Sequence, residues 1–474
     1  MKNNKIILII IALFTALICL FSSCSDSVGT TDAASPAETD ENYTEYPGDD
    51  STRVIENQSA DAPTDENVIF SQSEIEELNA ELLTDPGENA MIYDLSELKE
   101  GISGKKVREM IITYKRIDST LYHGGDALTN DDWTRILQNR DTDNLDDEIT
   151  VRWGVTVKRT EMRSFPTDLQ VSYRANNLYG NAFLETILFI NEPVAVLHTS
   201  RDGKYSFVES RFYRGWILSK NIAYCDSYED MMSADESEHG FIVVTGSYIT
   251  LSDDPYEDTV SALRLTMGEK LALAEKPGTI KTVRDRTSYN NYIVKIPTRD
   301  TDGRLAFVEA FVPTSADVTV GYMPYTWENV ISQVRKTLGE VYGWAGMADS
   351  RDCSSLVMEV YRCFGFVLPR NASAIASVPD RFITDVSGMT ADEKTELLKN
   401  CPEGAVLYFP GHIMFYSGTK DGVPYCISAV GSFTPENESE AQSVYTVAEN
   451  SLNVKLSDGR EWIEALTKII AIEK

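Results

Sequence analysis

Asp352-Cys353-Ser354-Ser355 stands directly before Leu356, Val357, Val360, Tyr361 and Phe364. Those apolar positions mark one face of a helix that Gly365 can terminate. Asp352 is a good N-cap, so Cys353 falls in the first helical turn. Unpaired N–H groups and the helix dipole favour a thiolate there. A thiolate is what a cysteine nucleophile requires. Taken alone, a cysteine at such a place is more often a small buried residue. A thiol nucleophile also needs a base, and the chain has only 4 histidines. His123 lies in a polar loop, His198 in a β-rich stretch and His239 between two such stretches. His412 alone shares a region with Cys353. It opens a strand directly after Pro410-Gly411 and so projects from a rigid edge. Cys353 and His412 together say more than either does alone.

The elements that must position this pair are helices followed by an antiparallel sheet. Thr326 predicts a helix with the apolar stripe Val330, Val334, Leu338 and Val341, broken by Gly339 and Gly343. The strands are Ala405 to Phe409, His412 to Tyr416 and, after the Lys420-Asp421-Gly422 turn, Tyr425 to Val430. That order is an α+β pattern. Upstream the pattern is β. Thr150 to Thr160 suits a strand, and Val194 to Leu197 and Tyr205 to Val208 flank an Asp202-Gly203 turn as a hairpin. Gly215-Trp216-Ile217 follows. A second set runs from Phe241 to Val244 through Leu271 to Leu273 and Tyr292 to Ile296. Two small barrels or one larger β domain fit this spacing. Earlier still, Ile75, Leu78 and Leu82 predict a helix and residues 105–116 another. Residues 121–146 read as polar and turn-rich, anchored by Trp133 and Leu137.

The chain has 474 residues and a net charge of −31. That length suggests several domains. The acidic balance excludes nucleic acid as a partner and argues against binding an anionic membrane by charge. Lys2 and Lys5, the apolar run Ile6 to Leu20, and Phe21-Ser22-Ser23-Cys24 read as an export signal. Leu20 to Cys24 resembles a bacterial lipobox, which makes Cys24 the expected lipidation site of an extracytoplasmic, lipid-anchored protein; Cys24 is otherwise incidental to an ordinary cleaved signal. Residues 25–66 are too poor in large apolar side chains to fold and read as an acidic linker. Five cysteines then remain, Cys225, Cys353, Cys363, Cys401 and Cys426, so at least one free thiol is expected. Cys363, Cys401 and Cys426 read as core. No CxxC spacing occurs, so neither a structural zinc site nor any cofactor is implied.

Tyr342-Gly343-Trp344-Ala345-Gly346, Asp352-Cys353-Ser354, Pro369-Arg370 and Gly411-His412-Ile413-Met414 resemble the NlpC-type cell-wall cysteine peptidases, whose fold is papain-like. Arg163 to Thr167, Glu192-Pro193-Val194 and Gly215-Trp216-Ile217 resemble the first bacterial SH3-like domain of multidomain members. Phe241 to Thr250 and Met267-Gly268 resemble the second, and Leu78 to Asp94 the N-terminal stabilising segment. The resemblance implies a multidomain chain: signal 1–24, linker 25–66, helical segment 67–149, SH3-like barrels 150–236 and 237–320, and an α+β papain-like peptidase domain 321–474.

It also implies roles. Cys353 would be the nucleophile, His412 the general base and then acid, and the Cys353 N–H an oxyanion donor. Asp352 and Ser354 would bind the free amine of a stem peptide, with Tyr342 and Trp344 lining the site. The bond cut would be that between γ-D-Glu and a diamino acid, in peptidoglycan or released muropeptides. Three positions depart from the family. Ser355 replaces a glycine. Ala372 replaces a serine of relatives that bind the free amine. Ser428 stands where the residue orienting the imidazole is His, Asn or Gln, and a hydroxyl orients it more weakly. A non-catalytic wall-binding lipoprotein and an acyltransferase working through the same thiol are the competing expectations.

Overall fold

The computed structural model describes residues 67–84 and 92–474. The expected signal, Cys24 and the linker lie outside the described residues.

Three helices open the described chain: α1 (Gln72–Thr84), α2 (Gly104–Ile112) and α3 (Asn130–Gln138). They do not form one body. In α1, Ile75 and Leu82 pack into the same core as Val357 and Phe364, far downstream. Gln72 and Asn79 donate side-chain hydrogen bonds to the carbonyls of Phe364 (3.1 Å) and Gly365 (2.8 Å). The α2 residues Val107, Met110 and Ile111 instead pack on Trp216 and Phe207. Helix α3 lies within the stretch expected to be turns. A Thr129–Asp132 capping box starts it, and Trp133 and Ile136 bury its apolar face against Phe165 and Phe183. Leu137, expected as an anchor, is only partly buried beside them.

The first β module has seven strands: β1 (Arg152–Thr156), β2 (Thr160–Arg163), β3 (Leu184–Leu188), β4 (Pro193–Thr199), β5 (Tyr205–Ser210), β6 (Arg214–Leu218) and β7 (Ile222–Tyr224). Their order in the sheet is β7-β1-β4-β5-β6-β2-β3, with every pairing antiparallel. The Asp202-Gly203 turn joins β4 to β5 as expected from the alternation. A second module follows: β8 (Phe241–Val244), β9 (Tyr248–Thr250), β10 (Arg264–Thr266), β11 (Lys270–Ala272), β12 (Asn291–Arg299), β13 (Leu305–Pro313) and β14 (Val318–Val320). Its pairings are β11-β8-β14, β9-β10 and the long hairpin β12-β13. Val244, Leu265, Leu271, Val294 and Val312 form its core, separate from that around Trp216.

The C-terminal domain is helices packed on one antiparallel sheet. Its helices are α4 (Trp327–Arg335), α5 (Cys353–Arg362), α6 (Ala372–Ile375) and α7 (Ala391–Leu398). The Thr326 hydroxyl caps α4 by accepting from the Asn329 N–H. That helix stops at Arg335, short of the expected stripe: Val330 and Val334 are buried, but Leu338 and Val341 are exposed. Gly339 adopts a left-handed φ of 85°, which turns the chain away before a further turn can form. The strands are β15 (Ile383–Asp385), β16 (Val406–Phe409), β17 (His412–Lys420), β18 (Val423–Phe433), β19 (Gln442–Ser451) and β20 (Lys468–Ile470), with α8 (Trp462–Ala465) before the last. The sheet order is β15-β20-β16-β17-β18-β19. Leu356, Val357 and Val360 of α5 pack on Ile413, Phe415 and Ile427, so the helix lies across the strands that carry the second half of the site.

Candidate active site

Cys353 is the first residue of α5, and the reason is local. Asp352 has extended backbone and its Oδ1 accepts from the Ser355 N–H (2.8 Å), while the Ser355 hydroxyl accepts from the Asp352 N–H (2.9 Å). This reciprocal capping box uses the very serine that replaces the family's glycine.

Asp352 is more than a cap. Arg370, almost fully buried, donates to both its oxygens, Nη1 to Oδ1 at 3.0 Å and Nη2 to Oδ2 at 2.6 Å. The Ala345 N–H adds 3.0 Å to Oδ2, and the Ser354 hydroxyl donates to Oδ1 at 3.3 Å. Ser354 in turn accepts from Arg370 Nη1 at 2.8 Å. Burial pushes the Asp352 carboxyl up. The adjacent guanidinium and these hydrogen bonds outweigh it and hold the group below the usual carboxylate range. Arg370 also donates from Nε to the Thr186 hydroxyl of β3 (2.8 Å), which ties the site to the first β module.

His412 opens β17. The Gly411 φ of 99° makes the tight turn out of β16, where Phe409 pairs with His412. The next residue, Ile413, brings its N–H within hydrogen-bond reach of the Cys353 thiol. The strand start that carries His412 therefore lies beside the start of α5. The β17–β18 register pairs Phe415 with Ile427, which puts His412 and Ser428 on one face. Their Nε2···Oγ separation is 3.0 Å. Nδ1 is the ring nitrogen that this contact does not use. The imidazole is also walled by Trp462 and Phe409, with ring centroids 5.0 and 5.6 Å away.

The electrostatics differ from the expected thiolate. Burial, and then the Asp352 charge, push the Cys353 thiol up to about 12, against the pull of the Ile413 and Ser354 N–H groups and Arg370. Burial lowers His412 to about 4. Both groups are neutral at rest, because the helix's amino end is too weak a field to offset a carboxylate one residue away and the loss of water. All five cysteines in the described residues are free thiols, so no disulfide blocks Cys353.

Tyr342 is half-buried with its phenol pushed up by burial and by Asp352 and Cys353. Its ring is 6.2 Å from Tyr445, which stacks on Tyr179 of the first β module at 4.6 Å. Trp344 is 52% exposed, and its indole N–H donates to the Leu184 carbonyl at 3.2 Å. Sequence reasoning gave no role to Glu185, which accepts from the Tyr213 hydroxyl at 2.8 Å, and Tyr213 itself was only one guess at the upstream side chain that enters the groove. Tyr213 also interacts with Asn371 and feels the Arg370 charge, so the pair lies beside the frame around Asp352. Burial raises the Glu185 carboxyl. An acid in alternation with buried Leu184 and Thr186 was the available signal. Trp462, 50 residues beyond His412, gave none.

Residues 339–450, which carry Cys353 and His412, match the NlpC/P60 family. The C-terminal domain is an NlpC/P60 domain. The family makes this a cell-wall cysteine peptidase domain, a hydrolase acting on peptidoglycan. Residues 181–218 match an SH3 domain of the SH3b1 type, so the first β module is an SH3 domain upstream of the NlpC/P60 domain. Among solved structures, an NlpC/P60 endopeptidase from Photobacterium damselae subsp. piscicida aligns with a TM-score of 0.64 at 17% identity, over 86% of this chain and 95% of its own. The two share a fold. An NlpC/P60 family protein from Bacillus cereus ATCC 10987 aligns with a TM-score of 0.46 at 16% identity, over 68% of this chain and all of its own. No curated protein matches.

Proposed function

We propose that this chain hydrolyses the γ-D-glutamyl–diamino acid bond of short peptidoglycan stem peptides, with Cys353 as nucleophile, His412 as general base and Ser428 orienting the imidazole. The reading rests on the NlpC/P60 match over residues 339–450, on Cys353 at the capped start of α5, and on His412 beside Ser428 at the start of the neighbouring strand, with the Ile413 N–H acting on the thiol. His412 takes the thiol proton as sulfur attacks the carbonyl. The Cys353 N–H, at the first position of α5, meets the oxyanion. The imidazolium then protonates the leaving amine, and a water activated by His412 releases the acyl group from the thioester. Starting from a neutral pair, proton transfer accompanies attack.

Asp352 contributes differently from what the family resemblance implied. Ser355, Ser354, Ala345 and Arg370 already fill its acceptor sites. Glu185 has acceptor capacity to spare, and an ammonium beside it would relieve the cost of its buried charge. We assign the free amine of the stem peptide to Glu185 and Tyr213, with Asp352, Ser354 and Arg370 as the frame and Tyr342 and Trp344 as apolar walls. We further read the second β module as a second SH3-like domain, and Cys24 as a lipid anchor placing the enzyme outside the cytoplasm. A defined muropeptide digested in ¹⁸O-water tests the reaction: one ¹⁸O on the γ-D-Glu carboxylate is expected, and acyl transfer to an added amine without label would overturn hydrolysis.

Ser428 and the neutral pair favour a second reading, a chain that binds wall material and cleaves it weakly or not at all. A thiol-directed peptide electrophile separates the two. Selective labelling of Cys353 that is lost in His412→Ala supports the working pair, and labelling indifferent to His412 supports the weak binder.

A further inference from the structure

Between Tyr342 and the nucleophile the chain makes a short loop whose backbone is costly. Ala345, Ala348 and Asp349 have φ of 55°, 58° and 53°. Left-handed conformations at non-glycine residues cost free energy and persist only where the surroundings over-determine them. This loop does local work for the site. Its Ala345 N–H donates to Asp352, and it ends at Arg351, directly before the cap and the nucleophile.

Part of what holds it comes from outside the NlpC/P60 domain. Arg159, in the turn between β1 and β2 of the first SH3 domain, is 9% exposed in its side chain. It donates from Nη2 to the Ser350 carbonyl (3.1 Å) and from Nη1 to the Thr266 hydroxyl of the second β module (3.0 Å). It pairs with Asp349 at 3.7 Å and with Glu359 of α5 at 4.0 Å. Gly346 lies so close to Ile187 of β3 that a Cβ would stand 2.6 Å from it. Arg351 continues the clamp, donating to Glu359 at 2.6 Å and to the Ser247 hydroxyl of the second module at 2.9 Å.

We infer that Arg159 is a positioning residue: it joins the two β modules to the strained 343–351 loop and through that loop sets Asp352 and the start of α5. The inference deepens the peptidase reading above. The β modules then serve catalysis by fixing backbone geometry beside the nucleophile, apart from any hold on the wall.

Full-length Arg159→Gln, Arg159→Lys and Thr266→Val variants test it. Arg159→Gln is expected to lower stem-peptide kcat/KM about tenfold or more, since small misplacements of a site cost that much. Arg159→Lys, which keeps one charged donor, should recover part of the loss. Hydrogen exchange at the Ala345 amide should accelerate about tenfold in Arg159→Gln, with Ile427 in the central sheet unchanged, and Thr266→Val should move both readouts the same way by less. If Arg159→Gln fails to fold, Thr266→Val carries the comparison. Unchanged Ala345 exchange, or acceleration shared equally by Ile427, overturns the inference. Should the wild-type chain cleave no stem peptide, the peptidase reading fails by itself, and the Ala345 exchange still decides the role of Arg159.

Discussion

Around Asp352, a guanidinium, two backbone N–H groups and a serine hydroxyl converge on one buried carboxylate. Around His412, one hydroxyl and the rings of Trp462 and Phe409 do the holding. The two sides of the cleft are built on different physics. Charge held by many donors is rigid, and losing one partner leaves the other buried and uncompensated. An imidazole held by a single hydroxyl keeps its orientation mainly by packing. The charged frame is therefore where stability is lost first, and the base is where rate can be tuned without unfolding the domain.

The largest effect should come from the atom both sides serve. Cys353→Ala is expected to lower stem-peptide turnover by about 10⁴-fold or more, as removal of other nucleophiles does. Its thermal unfolding should match wild type, because the capping box of Asp352 and Ser355 does not use the sulfur. Next is the frame itself. Arg370→Met leaves Asp352 buried without its counter-charge and should destabilise the domain by roughly 3–5 kcal/mol in denaturant unfolding. Adding Asp352→Asn to it should return part of that loss. A double variant no better than the single one would mean that Arg370 acts by packing and that the contrast between the two sides is mistaken.

On the imidazole side, Ser428→Ala should reduce kcat about tenfold with KM little changed, since an orienting group acts in the transition state more than in binding. Ser428 is fully buried beside Cys426 and Ile427, and removing one hydroxyl there should leave stability within about 1 kcal/mol. A loss as large as that of Cys353→Ala would show the hydroxyl to be as decisive as the charged frame.

The same division explains what could be read in the sequence. Cys353 at a helix start and His412 at a strand start follow from interactions within a few residues: a cap, an apolar stripe, a turn with glycine. The β4–β5 hairpin was legible for the same reason. What was missed depends on contacts far along the chain. Arg370 was visible as part of a Pro-Arg pair, but its carboxylate partner is 18 residues away. Trp462 reaches His412 across 50 positions, and α1 packs on a domain that begins hundreds of residues later. The thiolate expectation failed on magnitude. A helix terminus contributes about 0.3–1 kcal/mol, too little against burial and a neighbouring carboxylate. The helix α4 was extended too far because the stripe was followed through Gly339, whose left-handed φ ends it.

The smallest effect at neutral pH, and the most telling about the imidazole, is expected from Trp462→Ala. Burial lowers His412 to about 4, and the Trp462 ring is one wall of that burial. Catalysis needs the imidazole neutral, so the acid limb of kcat/KM should fall near pH 4 in the wild type. Opening the wall to water moves His412 up toward its ordinary value of about 6.5. At pH 7.5 the imidazole stays mostly neutral in both, and protonation costs less than about twofold. At pH 5 the variant should lose most of its activity while the wild type keeps its own. Stability has the same sign: a base whose native value is depressed adds stability that is complete above about pH 6.5 and is lost as pH falls toward 4, at most about 3 kcal/mol. In Trp462→Ala that acid-linked loss should shrink even as the cavity lowers stability at every pH. An acid limb that stays near pH 4 in the variant would mean that the sheet and Phe409, not the indole, keep water from His412.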